Sequence, residues 1–363
     1  MSALADRLAA RTLELVDIPS ESGDEARIRE HLISLIPPTF EVAYAEDDAH
    51  LFLPERRPRT PLVTLAGHYD TVPAQGNLPG RIADGAVHGV GASDMKGGLA
   101  VAVELVRDLG DVSPGHVDVA LLLFGREELP YEHDPLPSLF ASCPSAHQTA
   151  LAILLEPTDG QIHVGCLGNI IARLTFRGTS GHSARPWLAD NAIARAVDGL
   201  APLLAHEPRE MIVGGLPFVE VLSITRLDAG IADNVIPGDA VATLNFRYAP
   251  NRAPADAEAA LRELVPNEAE LEIVSHAPSG RVVTDSTLVG ALKAAGGGLD
   301  VEPKQAWTNV ADFTLHGIDA VNFGPGHTAY AHHRDEQVDI AALEHCYETL
   351  RRFLTGPIGE DSR

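Results

Sequence analysis

The chain has 363 residues, of which 45% are hydrophobic and 21% charged, a globular balance that excludes a disordered or fibrous protein. It carries 27 basic against 51 acidic side chains, a formal charge of −24. That surplus repels phosphate backbones and anionic lipid, so neither nucleic acid nor a membrane is an expected partner.

In chain order, Leu4, Leu8 and Leu15 share one face of a helix predicted over 3–16, and a second helix is predicted over 24–36. The N-terminus includes Asp6 and Glu14 and has no continuous apolar run, so it does not read as a secretory signal. Cys143, Cys166 and Cys346 are too few and too scattered for a disulfide framework. A reducing compartment fits them, and the cytoplasm is the expected location. Residues 63–66 read as a short strand and 98–109 as a helix. Residues 119–124 form an unbroken apolar run, as in a strand buried on both faces. The stretch 136–155 lacks charge over a membrane-spanning length, but its prolines and polar side chains argue for a loop, a short helix and a buried strand instead. This alternation of strand and helix predicts an α/β fold with a mostly parallel sheet.

The middle of the chain differs. Residues 169–177, 219–226, 240–247 and 270–275 alternate like half-buried strands, with helices predicted over 191–204 and 254–264. The order β-α-β-β-α-β is the ferredoxin-like pattern. From about residue 284 the α/β character returns. The expected organisation is therefore two domains: one α/β domain in two parts, 1–168 and 283–363, and an inserted α+β domain over 169–282.

Five segments place His, Asp or Glu after an apolar strand or in a tight turn. In open α/β sheets ligands bind beyond the carboxyl ends of strands, so such clusters can converge. His68 and Asp70 lie at i and i+2, on one side of an extended segment, where the acid can orient the imidazole. Taken alone, the pair also fits a surface imidazole beside a capping acid. Asp94 sits in a glycine-rich turn that lacks the G-K-[ST] of a phosphate loop; a helix cap is the other reading of it. Glu127 and Glu128 are adjacent acids at a strand end, which repel one another unless cations or protons are shared. A solvated turn explains them equally well. Glu156 follows another apolar run, and His332-His333 follow a Gly-Pro-Gly turn at 324–326. Together His68, Asp94, Glu128, Glu156 and His332 make an oxygen-nitrogen set suited to zinc, cobalt or manganese. Two divalent ions would balance the four carboxylates of Asp94, Glu127, Glu128 and Glu156.

The motifs GHYDTVP, GVGASDMKGG, GREEL, LLEPTDG, GHSARPWLADNA, DNVIPGD, LNFRYAPNR and AHHRDEQV, in that order, resemble the M20 metallopeptidase/deacylase family over nearly the whole chain. Within it they are most similar to the succinyl-diaminopimelate desuccinylases of actinobacterial type. The resemblance implies an M20-like catalytic domain with an inserted lid and dimerisation domain, two Zn2+ per chain (with Co2+ or Mn2+ as substitutes) and a homodimer. It assigns His68 and Glu156 to one zinc, Glu128 and His332 to the other, and Asp94 to both, with a cis peptide after Asp94. Asp70 would support His68, and Glu127 would be the general base. His182, supplied by the partner subunit, would stabilise the oxyanion. Asn234, Arg247, Arg185 and the backbone of Gly324 would bind substrate carboxylates. The implied reaction removes succinyl from N-succinyl-LL-2,6-diaminopimelate. Other deacylases of the acetylornithine type, carboxypeptidases and dipeptidases share the metal motifs, and an inactive binding relative would show a lost ligand or base. The sequence departs from the family pattern at Asn309, at His327 and over 130–143, positions expected near the amine-binding end.

Overall fold

The computed structural model describes residues 2–109 and 115–356. The last residues of the second catalytic segment, 357–363, lie outside them. The chain divides into two compact units: one takes in the residues up to Gly165, Arg281–Lys304 and those from Thr308 onward, and the other is Cys166–Gly280 with Gln305–Trp307.

The first unit is built on an eight-stranded sheet. Its strands lie in the order Glu41–Glu46, Ala49–Leu53, Asp118–Phe124, Leu62–His68, Thr149–Leu154, Asp319–Asn322, Ile162–Val164 and Val301–Pro303. The four strands from Asp118–Phe124 to Asp319–Asn322 run parallel to one another. Every residue of Leu62–His68 is buried, as expected of a parallel strand covered on both faces. The helices Ala3–Val16, Gly97–Leu109 and Ile340–Thr355 pack against one another. Residues 136–155 resolve into the helix Leu136–Ser142, a short helical turn and the strand Thr149–Leu154. Among the described residues no helix is long and apolar enough to cross a membrane.

A small three-stranded sheet pairs Gln337–Asp339 with Ala86–His88, and Ala86–His88 with Arg81–Ala83. It fastens the segment after His332 to the segment before Asp94.

The second unit is a five-stranded antiparallel sheet in the order Arg209–Val213, Leu216–Ala229, Asp239–Tyr248, Gly168–Arg177 and Ala269–Ala277. Its helices Ala192–Leu204 and Pro254–Leu264 bury Ala196, Leu200 and Leu261 with Leu174, Phe176 and Leu244 of the sheet. Asn191 caps the first helix by accepting from the Ile193 N–H at 3.0 Å. Without the edge strand Arg209–Val213 this is the ferredoxin-like order read from the sequence. The extra strand is hidden there because it is joined by Gly214-Gly215, both with positive φ, to a run that already reads as one strand.

Candidate metal centre

Parallel strands end on a common edge, and here that edge collects the predicted donors. Leu62–His68 ends on His68, which is buried and pairs in register with Phe124. Phe124 is followed by the turn that carries Glu127 and Glu128. Leu154 ends the next strand, two residues ahead of Glu156. Asp94 comes from the turn before helix Gly97–Leu109, and its peptide bond to Met95 is cis.

Nε2 of His68 lies 3.2 Å from Oδ1 of Asp94 and 3.6 Å from Oε1 of Glu156. Nε2 of His332 lies 2.9 Å from Oε2 of Glu128 and 3.8 Å from Oδ2 of Asp94. The two oxygens of Asp94 thus face two different imidazoles. His68, Asp94 and Glu128 each offer a donor atom within 4.8 Å of the others. Donors held about 2.0–2.2 Å from one tetrahedral ion stand roughly 3–3.5 Å apart, so these spacings and this nitrogen-oxygen set fit a divalent cation.

The electrostatics point the same way. Burial pushes the carboxyls of Glu127 and Glu128 up, and neighbouring acids add to the rise. Burial and the nearby Asp94 carry Glu156 up to about 7. Burial alone would lower His68, but its hydrogen bonds to Asp70 and Asp94 hold it well above the ordinary imidazole value. The hydrogen bond to Glu128 brings His332 up to about 9. Acids that resist ionising together, facing imidazoles that cling to protons, form a nest that cations relieve.

Asp70 does more than sequence reasoning gave it. Its main-chain oxygen is 3.1 Å from Nδ1 of His68. A carbonyl can only accept, so Nδ1 carries a proton and Nε2 is the nitrogen turned toward the cluster. The Asp70 carboxylate, 3.4 Å from the same Nδ1, accepts from the N–H groups of Glu127 and Glu128 at 3.1 Å each, and from the Ser22 hydroxyl at 2.7 Å. One side chain therefore braces two donor segments. Glu336 is a second brace, which the sequence reading passed over. Its buried carboxylate accepts from the N–H groups of Gly91, Ser93 and Asp94 at 2.9–3.0 Å, tying the Asp94 turn to the segment that bears His332. The local clue is slight: an acid four residues after the histidine.

Other predicted site residues belong to the second unit. The two-residue ladder between Gly181–His182 and Val235–Ile236 sets His182, Arg185 and Asn234 near one another. Arg185 N–H donates to His182 O at 2.8 Å, and Ser183 N–H to Asn234 O at 3.0 Å. His182, Arg185 and Asn234 are exposed. Arg247 lies on Asp239–Tyr248, with its Nε donating to Asn245 Oδ1 at 3.0 Å. Gly324 lies in the first unit. Its N–H donates to Thr158 Oγ1 at 3.1 Å, and that buried hydroxyl donates back to Gly324 O. The donor is thus already used inside the protein. A Cβ there would lie 2.2 Å from Leu155 O, so close backbone approach is what requires glycine.

The departures from the family pattern become internal networks. Asn309, fully buried, donates from Nδ2 to Asp134 at 2.5 Å and to Asp312 at 3.0 Å, and Tyr131 donates to Asp312 at 2.7 Å. Asn309 and the 130–143 stretch thus meet in one hydrogen-bonded network. His327 is held between Asp159 at 2.5 Å and Asp339 at 3.3 Å.

The profile of Peptidase family M20/M25/M40 matches residues 64–356. A Mycobacterium tuberculosis protein, named provisionally as a succinyl-diaminopimelate desuccinylase, is 37% identical over 349 residues, covering 95% of this chain and 97% of that one. A Corynebacterium glutamicum succinyl-diaminopimelate desuccinylase is 35% identical over 359 residues, covering 95% of each. Among solved structures, the aminopeptidase PepT of Bacillus cereus superposes with a TM-score of 0.76 at 20% identity, covering 96% of this chain and 98% of that one. The paired imidazoles around Asp94, the parallel sheet that delivers them and these likenesses place the chain in peptidase family M20/M25/M40, a family of hydrolases.

Proposed function

We propose that this chain is a two-metal amidohydrolase that removes the succinyl group from N-succinyl-LL-2,6-diaminopimelate. The placement of Asp94 between His68 and His332, with Glu127 beside them, carries the chemistry. The full-length likeness to desuccinylases carries the substrate.

His68, Asp94 and Glu156 would hold one ion, and His332, Glu128 and Asp94 the other, with zinc the expected metal. Such ions, when bound, acidify water and polarise an amide carbonyl. Glu127, with its carboxyl raised by burial, accepts the proton of the attacking water and returns it to the departing amine. His182 donates to the developing oxyanion, and Arg247, Asn234 and Arg185 hold substrate carboxylates. The protein works as a homodimer through the inserted unit, in the cytoplasm.

The test is a panel of N-succinyl-LL-diaminopimelate, N-acetylornithine and dipeptides on zinc-loaded protein. Preferred hydrolysis of the succinyl compound is expected. Turnover of acetylornithine or dipeptides without it overturns the substrate assignment and leaves the metal chemistry standing.

A further inference from the structure

The chain has three lysines, Lys96, Lys293 and Lys304, and two of them are buried: Lys96 with no exposed surface and Lys304 with 5%. Surface cations are almost all arginine. A buried ammonium is expensive, so its surroundings indicate what it serves. Lys96 donates to Ile18 O at 2.9 Å, in the segment just after the N-terminal helix. Lys304 is placed otherwise. It follows the strand Val301–Pro303, and its own N–H bonds to Val164 O at 3.3 Å, so its backbone is fixed. Its Nζ donates to Pro157 O at 3.2 Å and lies 3.7 Å from Oε2 of Glu156. The other oxygen of Glu156, Oε1, is the one that faces His68 at 3.6 Å.

We infer that Lys304 is a positioning residue that holds one oxygen of Glu156 and so restricts this carboxylate to a single oxygen donor in the metal centre. The inference rests on the two-metal reading. It follows from the split of one carboxylate between a fixed ammonium and an imidazole of the donor cluster. Oxygen Oε2 turns toward an ion only by giving up its ion pair with Nζ, which Pro157 O keeps in place. The same positive charge stands close to the ions and opposes their binding. Lys304 thereby sets both the denticity of Glu156 and the affinity of one position of the pair.

The experiment uses full-length protein, apo and reconstituted with Co2+ at pH 8.5, as wild type, Lys304→Met and Lys304→Arg. Wild type should take up two equivalents of metal by elemental analysis. In Lys304→Met the released oxygen raises the coordination number at one ion. The visible Co2+ absorption should weaken, and that ion should bind at least about tenfold more tightly, with the other unchanged. Lys304→Arg should restore the wild-type spectrum. Should Lys304→Met not fold, Lys304→Gln, which keeps a donor for Pro157 O, carries the same expectation. Identical spectra and affinities in wild type and the neutral variants overturn the role of Lys304. Wild type that binds no metal overturns the two-metal reading itself.

Discussion

Individual residues were the most legible level. His68, Asp94, Glu128, Glu156 and His332 stand out as polar groups where the chain otherwise forms buried strands and tight turns, and the structure brings them together. Glu127 tests the chemistry directly. On the two-metal reading, Glu127→Ala should lower turnover by about 10²–10⁴-fold while two equivalents of metal stay bound, because there the carboxylate would move protons and not hold an ion. Elemental analysis beside kinetics checks this, and full activity would remove Glu127 as the base. Residues that act through another group were harder to see. Asp70 reads from sequence as a partner of His68, but its grip on the Glu127 and Glu128 backbones depends on register with a neighbouring strand. Glu336 and Lys304 meet their partners only after the chain has crossed the inserted unit, and no periodicity records such a meeting. At Gly324 a backbone donor looks the same in sequence whether or not it is already bonded, as this one is to Thr158.

At the level of elements, long amphipathic helices and apolar strands were readable, and short paired segments were not. The hairpin of Glu41–Glu46 and Ala49–Leu53 turns on Asp47 and Asp48, both left-handed, where Asn-Gly would have announced it. A different element shows how neighbours fix a side chain. Asn309, at the start of helix Val310–Leu315, stands between the carboxyls of Asp134 and Asp312. Burial and the nearness of Asp312 raise Asp134 well above its ordinary value, and burial lifts Asp312 to about 6. An acid raised in the folded state stabilises fully below its unfolded value of 3.8, and that contribution is lost as pH climbs toward about 6. Asn309→Asp adds a third carboxyl to this pocket. It should destabilise by roughly 2–4 kcal/mol at pH 8, and by less at pH 5, where protons can be shared. Urea unfolding at both pH values reads the difference, and an equal loss at each would mean that charge is not the cause.

For the whole molecule, the sequence showed the two-part organisation through its change of pattern from buried runs to half-buried alternation and back. The attachment of Gln305–Trp307 to the second unit left no local mark, since it rests on contacts such as the Trp307 indole N–H to Pro278 O at 2.9 Å. The proposed partnership of two copies has a direct test. His182→Ala and Glu127→Ala should each be inactive alone. If His182 serves the neighbouring subunit, unfolding and refolding an equal mixture rebuilds one intact site in each mixed dimer and recovers about a quarter of wild-type activity. A mixture that stays dead places His182 and Glu127 of one chain in the same site.

The order of the donors along the polypeptide bears on how the protein is made. His68, Asp94, Glu128 and Glu156 all precede Pro157, whereas His332 comes after the entire inserted unit. On the two-ion reading, a chain still growing from the ribosome already holds the groups for the first ion, yet it lacks the last imidazole for the second until synthesis is nearly over. A product cut short ahead of residue 332 would lack that imidazole, the Glu336 carboxylate that braces the Asp94 turn and the helix Ile340–Thr355 that packs on two others, so the centre is completed only as the end of the chain arrives.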